Sequence, residues 1–219
     1  MKGLNLGKKI LGNIQYFLFF ILFCGADAFA YPYLNLYLDW RGLNGTQIGA
    51  INSLSYIFTI LAGFLFGTVA DKTGKPKTLL LWGILGAMLS LLFLSLAQGM
   101  LLLCTASVLY TFHYVPSGDL GDKLMLDRLG EDTRSFSIFR LGGPIGYGLG
   151  VLVAGMITAR SGVVPVFHAG MVVFAASFVA VLFMDPSKGK VERTSRAPVG
   201  QVIAHKRAWY FYSIMALWG

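Results

Sequence analysis

The chain has 219 residues, 56% hydrophobic and 13% charged, with a formal net charge of +8 and a mean hydropathy of +0.66. A soluble domain carries about a quarter charged residues, so an ordinary water-soluble fold is excluded. The charges are clustered, and the uncharged stretches between them run to about 20 residues, enough to cross a hydrocarbon core of ~30 Å as a helix.

Period-2 alternation is absent, so the expected fold is an all-α membrane protein. Six spans are predicted near residues 14–38, 46–69, 78–97, 101–122, 136–159 and 163–184. A polar, basic stretch with two prolines follows at 185–206, and residues 207–219 read as the start of a seventh span. Those 13 residues reach about 20 Å at 1.5 Å per residue, too short to cross. The expected organisation is a six-helix bundle over 1–184, a linker over 185–206, a truncated helix over 207–219 and a missing C-terminal half.

In the first span, "FFILFCGADAFAYPYLNLYL", Asp27 sits near the middle of an apolar and aromatic run. Lys2, Lys8 and Lys9 with Ala26-Asp27-Ala28 imitate a signal peptide and its cleavage site, but the apolar run continues to Leu38 and five spans follow. The first helix is therefore expected to be retained, with its aromatics serving packing or facing lipid. Gly63 and Gly67 in the second span, and Gly142, Gly146 and Gly150 in the fifth, recur every four residues. Such spacing allows helices to approach closely, and Pro144 is expected to bend the fifth helix.

Fifteen of the 18 Lys and Arg residues fall on the side of the N-terminus, Arg41 and Arg160 on the other, and Arg140 inside a span. The N-terminus is accordingly expected in the cytoplasm of a multi-pass cell-membrane protein. The positive charge reads as topology and attraction to anionic lipid of the bilayer, not as nucleic-acid binding. Cys24 and Cys104 lie within spans, and no metal-ligand spacing, phosphate loop or hydrolytic constellation occurs. Neither a metal, nor a cofactor, nor an enzyme is indicated.

The loop after the second span reads "GTVADKTGKPK": Gly67, Asp71, Lys72, Gly74, Lys75 and Lys77. A small residue, an acid able to pair with a neighbouring helix, a glycine turn and a basic cluster follow one another. In "DKLMLDRLGEDTRSFSIFRLGGPIGYG", Asp122 and Arg140 are 18 residues apart across a short loop. They stand at similar depth on antiparallel neighbours and can neutralise each other, binding a substrate or only bracing the two helices. Tyr147 is two turns beyond Arg140 on the same face. Asp119, one turn before Asp122, competes for the same guanidinium and is a candidate proton site.

The loop spacing resembles the signature loop of the major facilitator superfamily, and "PYLNLYLDWRGLNGTQIG" resembles its sugar–proton symporter-like, lactose permease-related branch. The resemblance runs from about residue 14 to 184. It implies the N-terminal half of a twelve-helix fold, two three-helix inverted repeats, with the loop latching a gate. It also implies that Asp122 and Arg140 bind sugar hydroxyls while Tyr147 stacks on the sugar ring. The first and fourth helices line the cavity in that family. Asp27 and His113, each about halfway along one of them, are thus candidates to bind substrate or relay a proton. For His113 alone the plainer reading is a packed side chain hydrogen-bonded to backbone. The expected function is a secondary active transporter of a small polar solute such as a sugar or nucleoside, with protons as the coupling ion. A drug or metabolite exporter, or a non-transporting receptor or scaffold on the same fold, is the alternative.

Overall fold

The computed structural model describes residues 13–130 and 132–186, so the expected linker and seventh helix lie outside the described residues. Eight helices make six spans: α1 (Ile14–Asp27) with α2 (Tyr31–Trp40), α3 (Gly45–Thr73), α4 (Pro76–Leu96), α5 (Gly99–Leu129), α6 (Thr133–Arg140) with α7 (Gly142–Ser161), and α8 (Val164–Leu182). All six are long and apolar enough to cross a membrane, and no strand occurs among the described residues.

The helix ends follow local chemistry. Asn44 opens α3 with a reciprocal capping box, its side chain accepting from the Gln47 N–H at 3.0 Å while Gln47 reaches back at 2.9 Å. Gly74 closes the same helix at φ 65°, a conformation that glycine adopts without strain. The first span is not the single straight helix expected. It breaks at residues 28–30, because Pro32 has no N–H to return to the Ala28 carbonyl. The fifth span breaks at Leu141, three residues before Pro144, so the proline sits in the first turn of α7 rather than bending its middle.

Two glycine-containing faces fix how α1 and α7 cross. A Cβ added at Gly142 would stand 2.8 Å from the Phe17 carbonyl oxygen, and one at Gly150 2.6 Å from that of Gly25. One at Gly146 would overlap the Ile21 carbonyl. These obstacles are backbone and cannot step aside. The expected close approach at Gly63 and Gly67 is not found within the described bundle, because nothing stands within 4 Å of either position. The remaining core is aromatic: Phe19, Phe23, Tyr37, Phe167 and Phe174 are fully buried, with Phe23 edge-on to Phe174 at 6.0 Å.

Cationic side chains tie the helix ends. Lys77 donates to the Leu182 and Met184 carbonyls at 2.9 and 2.6 Å, and Arg128 bonds Asp185 and Asn13 at 3.0 Å each. At the far end Arg41 donates to the Tyr37 hydroxyl at 2.8 Å and the Ser95 carbonyl at 3.2 Å. Carbonyls left over at a helix C-terminus gain donors this way.

Gly146→Ala should cost about 1–3 kcal/mol of stability through overpacking at the α1–α7 seam. Gly148→Ala, in the same helix with nothing within 4 Å, should be neutral or stabilising. Thermal unfolding of the detergent-solubilised protein checks the difference; equal midpoints would remove the seam's role.

Candidate functional site

A cavity of about 730 Å³ opens between α1, α5, α6 and α7. It brings together Asp119, Asp122, Arg140 and Tyr147, four residues singled out by sequence. Short α6 carries Arg140 at its last turn, and the antiparallel hairpin of α5 and α6 sets it against Asp122, with which it forms an ion pair. One Asp122 oxygen accepts from the guanidinium. The other is buried and has no hydrogen-bond partner among the described residues. Asp119 lines the same cavity and is exposed, while Arg140 pairs with Asp122.

One wall of the cavity is apolar. Phe20 and Phe23 of α1 line it, so the aromatics of the first span do more than pack or face lipid. Phe23 stacks on Tyr114 with centroids 4.8 Å apart, and Tyr114 stacks on Tyr110 at 5.6 Å. The result is an aromatic shelf beside an ion pair, a surface suited to a molecule with both apolar faces and hydroxyls.

Asp27 ends α1 beside the break and is only 7% exposed. Its carboxylate accepts from the Tyr110 hydroxyl at 2.6 Å, and the Tyr114 hydroxyl also faces it. It lines a second cavity of about 430 Å³ between α1, α2, α3 and α5. His113 is not brought to Asp27. Its Nδ1 bonds the Leu109 carbonyl at 2.7 Å, and its ring sits against Gly86 of α4 and Phe66 of α3. That is the plain packed role, away from both cavities.

The loop residues Gly67, Asp71, Lys72, Gly74, Lys75 and Lys77 cluster at the end of the bundle near α5's C-terminus. Asp71 pairs with Lys123 of α5 at 2.6 Å, Lys77 holds the end of α8, and Gly67 faces open space. No group of three or more His, Cys, Asp or Glu residues is placed to hold a metal among the described residues.

The MFS_1 like family model matches residues 12–219. The chain is 33% identical to the maltose permease of Geobacillus stearothermophilus over 163 residues, 74% of this chain and 40% of that protein. It is 27% identical to the multidrug resistance protein MdtG of Dickeya zeae over 161 residues, 69% of this chain and 38% of that one. It thus spans about two fifths of the length of these curated relatives. Its fold is similar to the crystal structure of the nucleoside transporter NupG (D323A mutant), with a TM-score of 0.73 and 18% identity, over 93% of this chain and 52% of that one.

Tyr110→Phe should destabilise the protein by about 1–3 kcal/mol, since it strips a buried carboxylate of its donor. The same substitution made on Asp27→Ala should cost almost nothing. Stability measured around that double-mutant cycle should therefore be strongly non-additive; simple additivity would show that the two groups do not depend on each other.

Proposed function

The chain belongs to the MFS_1 like family, and on that premise we propose that the protein is a secondary active transporter for a small polar solute such as a sugar or nucleoside. It works by alternating access, coupled to protons, and a C-terminal half of the same protein completes the solute pathway. The observation that carries this reading is the unpartnered Asp122 oxygen beside the Arg140 ion pair, in a cavity with an aromatic wall. A carboxylate oxygen needing a donor, a guanidinium offering several and a tyrosine ring at hand suit the hydroxyls and flat face of a sugar or nucleoside. In this reading Asp122, Arg140 and Tyr147 contact the solute, and Asp119 and Asp27 are the acids available to carry the coupled proton.

The skewed distribution of Lys and Arg supports a cytoplasmic N-terminus. The link between Asp71 and Lys123 then lies on the cytoplasmic side, where the loop residues serve as part of a gate. The likeness to the multidrug resistance protein MdtG motivates the rival reading, an exporter of drugs. An ion pair with an open acceptor favours a polar solute over an apolar one. A receptor or scaffold on this fold would bind solute without accumulating it, which uptake by vesicles carrying the whole protein separates.

Asp122→Asn and Arg140→Gln should each lower uptake by about 100-fold or more, the loss expected on removing one partner of a desolvated charge pair. Membrane insertion should be unaffected. Loss of folding that is rescued by neutralising both residues would mark the pair as a brace instead.

Asp27→Asn should abolish proton-driven accumulation yet preserve energy-independent exchange, because a neutral amide imitates a protonated acid. Both activities falling together would make Asp27 a direct substrate contact. Both unchanged would end any transport role for it.

A further inference from the structure

Two residues line both cavities, Tyr114 and Val115 of α5, and of these only Tyr114 carries a polar group. Its ring stacks on Phe23 at 4.8 Å and on Tyr110 at 5.6 Å, and meets Phe174 edge-on at 6.1 Å. Such neighbours leave the ring little room to swing. Its hydroxyl stands within hydrogen-bonding reach of the Asp27 carboxylate and within electrostatic reach of Cys24 and Tyr147, which line the first cavity. One phenol oxygen therefore serves the acid on one side and faces the solute cavity on the other. The remaining titratable groups facing Asp27 are Cys24 of α1, Tyr31 of α2, Tyr110 of α5 and Tyr147 of α7, and none of them is a cation. The charged groups of the first cavity are Asp119, Asp122 and Arg140.

A phenol has one hydrogen to give and can turn it about the C–O bond without moving its ring. An ionised carboxylate only accepts, so it takes the hydrogens of both Tyr110 and Tyr114. A protonated acid has one accepting oxygen, which Tyr110 already supplies at 2.6 Å, and a hydrogen of its own to place. The second cavity holds an acceptor for that hydrogen. Ser55 of α3 lines it, is 5% exposed, and has no hydrogen-bond partner for its hydroxyl among the described residues. Ser90, Ser107 and Ser117, by contrast, return their hydroxyls to the carbonyl four residues earlier. Adding a proton to Asp27 thus breaks no bond within the side chain and releases the hydrogen of Tyr114.

We propose that Tyr114 links the two cavities through that one hydrogen, which it donates to Asp27 while the acid is ionised and to an oxygen of the solute in the first cavity once the acid is neutral. The inference rests on the reading of the first cavity as a polar-solute site and of Asp27 as a proton carrier, and adds the residue through which each senses the other. The solute stays in the first cavity and the proton in the second. The sign follows directly. At low pH the neutral acid leaves the donor free, so solute binds more tightly there and more weakly as the pH rises. By reciprocity a bound solute favours the proton on Asp27.

The test uses Cys24, which lines the first cavity, as reporter in the whole protein in membrane vesicles, with Cys104→Ser to silence the other thiol. Alkylation of Cys24 by N-ethylmaleimide is followed with glucose or uridine as protectant while the pH is raised from about 5 to about 9, wide enough to titrate a buried carboxyl. Each half-protecting concentration compares rates at one pH, so the titration of the thiol itself cancels. With Tyr114 and Asp27 intact it should rise about tenfold over that range, the size of one hydrogen bond. Tyr114→Phe keeps the ring and should hold it within about twofold of the high-pH level throughout. Tyr110→Phe also takes a donor from Asp27 but does not line the first cavity, and should keep the rise. Asp27→Asn should bind at the low-pH level throughout. Adding Tyr114→Phe to it should raise the concentration about tenfold, in a protein with no carboxylate at that position left short of a donor. A rise that is absent from the start, or that survives Tyr114→Phe with Asp119 as its source, overturns the inference. So does equal flattening by both phenylalanines, which would mark the tyrosines as props for the acid. In those cases protection itself leaves the polar-solute reading standing; protection by neither glucose nor uridine overturns both.

Discussion

A carboxylate inside a hydrocarbon layer must be given a donor, and much of this bundle is arranged around that requirement. Asp27 and Asp122 meet it differently. Asp122 takes a cation from the neighbouring span, Arg140. Asp27 takes neutral phenols, with Tyr110 donating at 2.6 Å and Tyr114 beside it. The tyrosines that satisfy Asp27 also stack towards Phe23, so one aromatic column joins the two acids. The cavities lie on either side of that column, sharing Tyr114 as a wall.

The column stays in place because α1 divides its surface. Phe17, Ile21 and Gly25 meet the glycines of α7 backbone to backbone, while Phe20, Phe23, Cys24 and Asp27 turn to the cavities. A side chain on the α7 face would push α1 outward and open the column. The glycine spacing is thus a condition for the polar site, although no glycine of the seam supplies a functional group. The break at residues 28–30 serves the same end, letting α2 leave at its own angle and carry Tyr31 and Asn35 to the second cavity.

What could be read beforehand was whatever depends on type and spacing along the chain. Uncharged runs of span length gave the six helices, and an acid and an arginine flanking a short loop gave the pair. The break in the first span is legible too, since Pro32 removes a donor in mid-span. The contact faces of the glycines were not legible. Gly63 and Gly67 repeat at the same interval as Gly146 and Gly150, yet only the latter meet a helix among the described residues. Nor was Ser55. A serine in a membrane helix is silent in sequence, because its hydroxyl ordinarily returns to its own backbone, and only the fold shows a buried one without a partner. His113 and Asp27 share a depth in sequence, but the angular position of His113 on α5 sends it to Gly86 instead.

The middle and the ends of the bundle are held by unlike forces. At the seam, backbone contact admits no adjustment, and close packing makes any displacement costly. At the loop end, spans are joined through polar contacts: Asp71 with Lys123, Lys77 with the Leu182 and Met184 carbonyls, and Arg128 with Asp185 and Asn13. Asp71 and Lys123 are 56% and 36% exposed at the side chain, and surface pairs of this kind are worth about 0–1 kcal/mol. Breaking one and remaking it with water or another partner costs little. Movement is therefore cheapest where the loop is and dearest where α1 crosses α7. A bundle built this way can change its contacts at the loop end while the aromatic column and both acids keep their positions relative to each other.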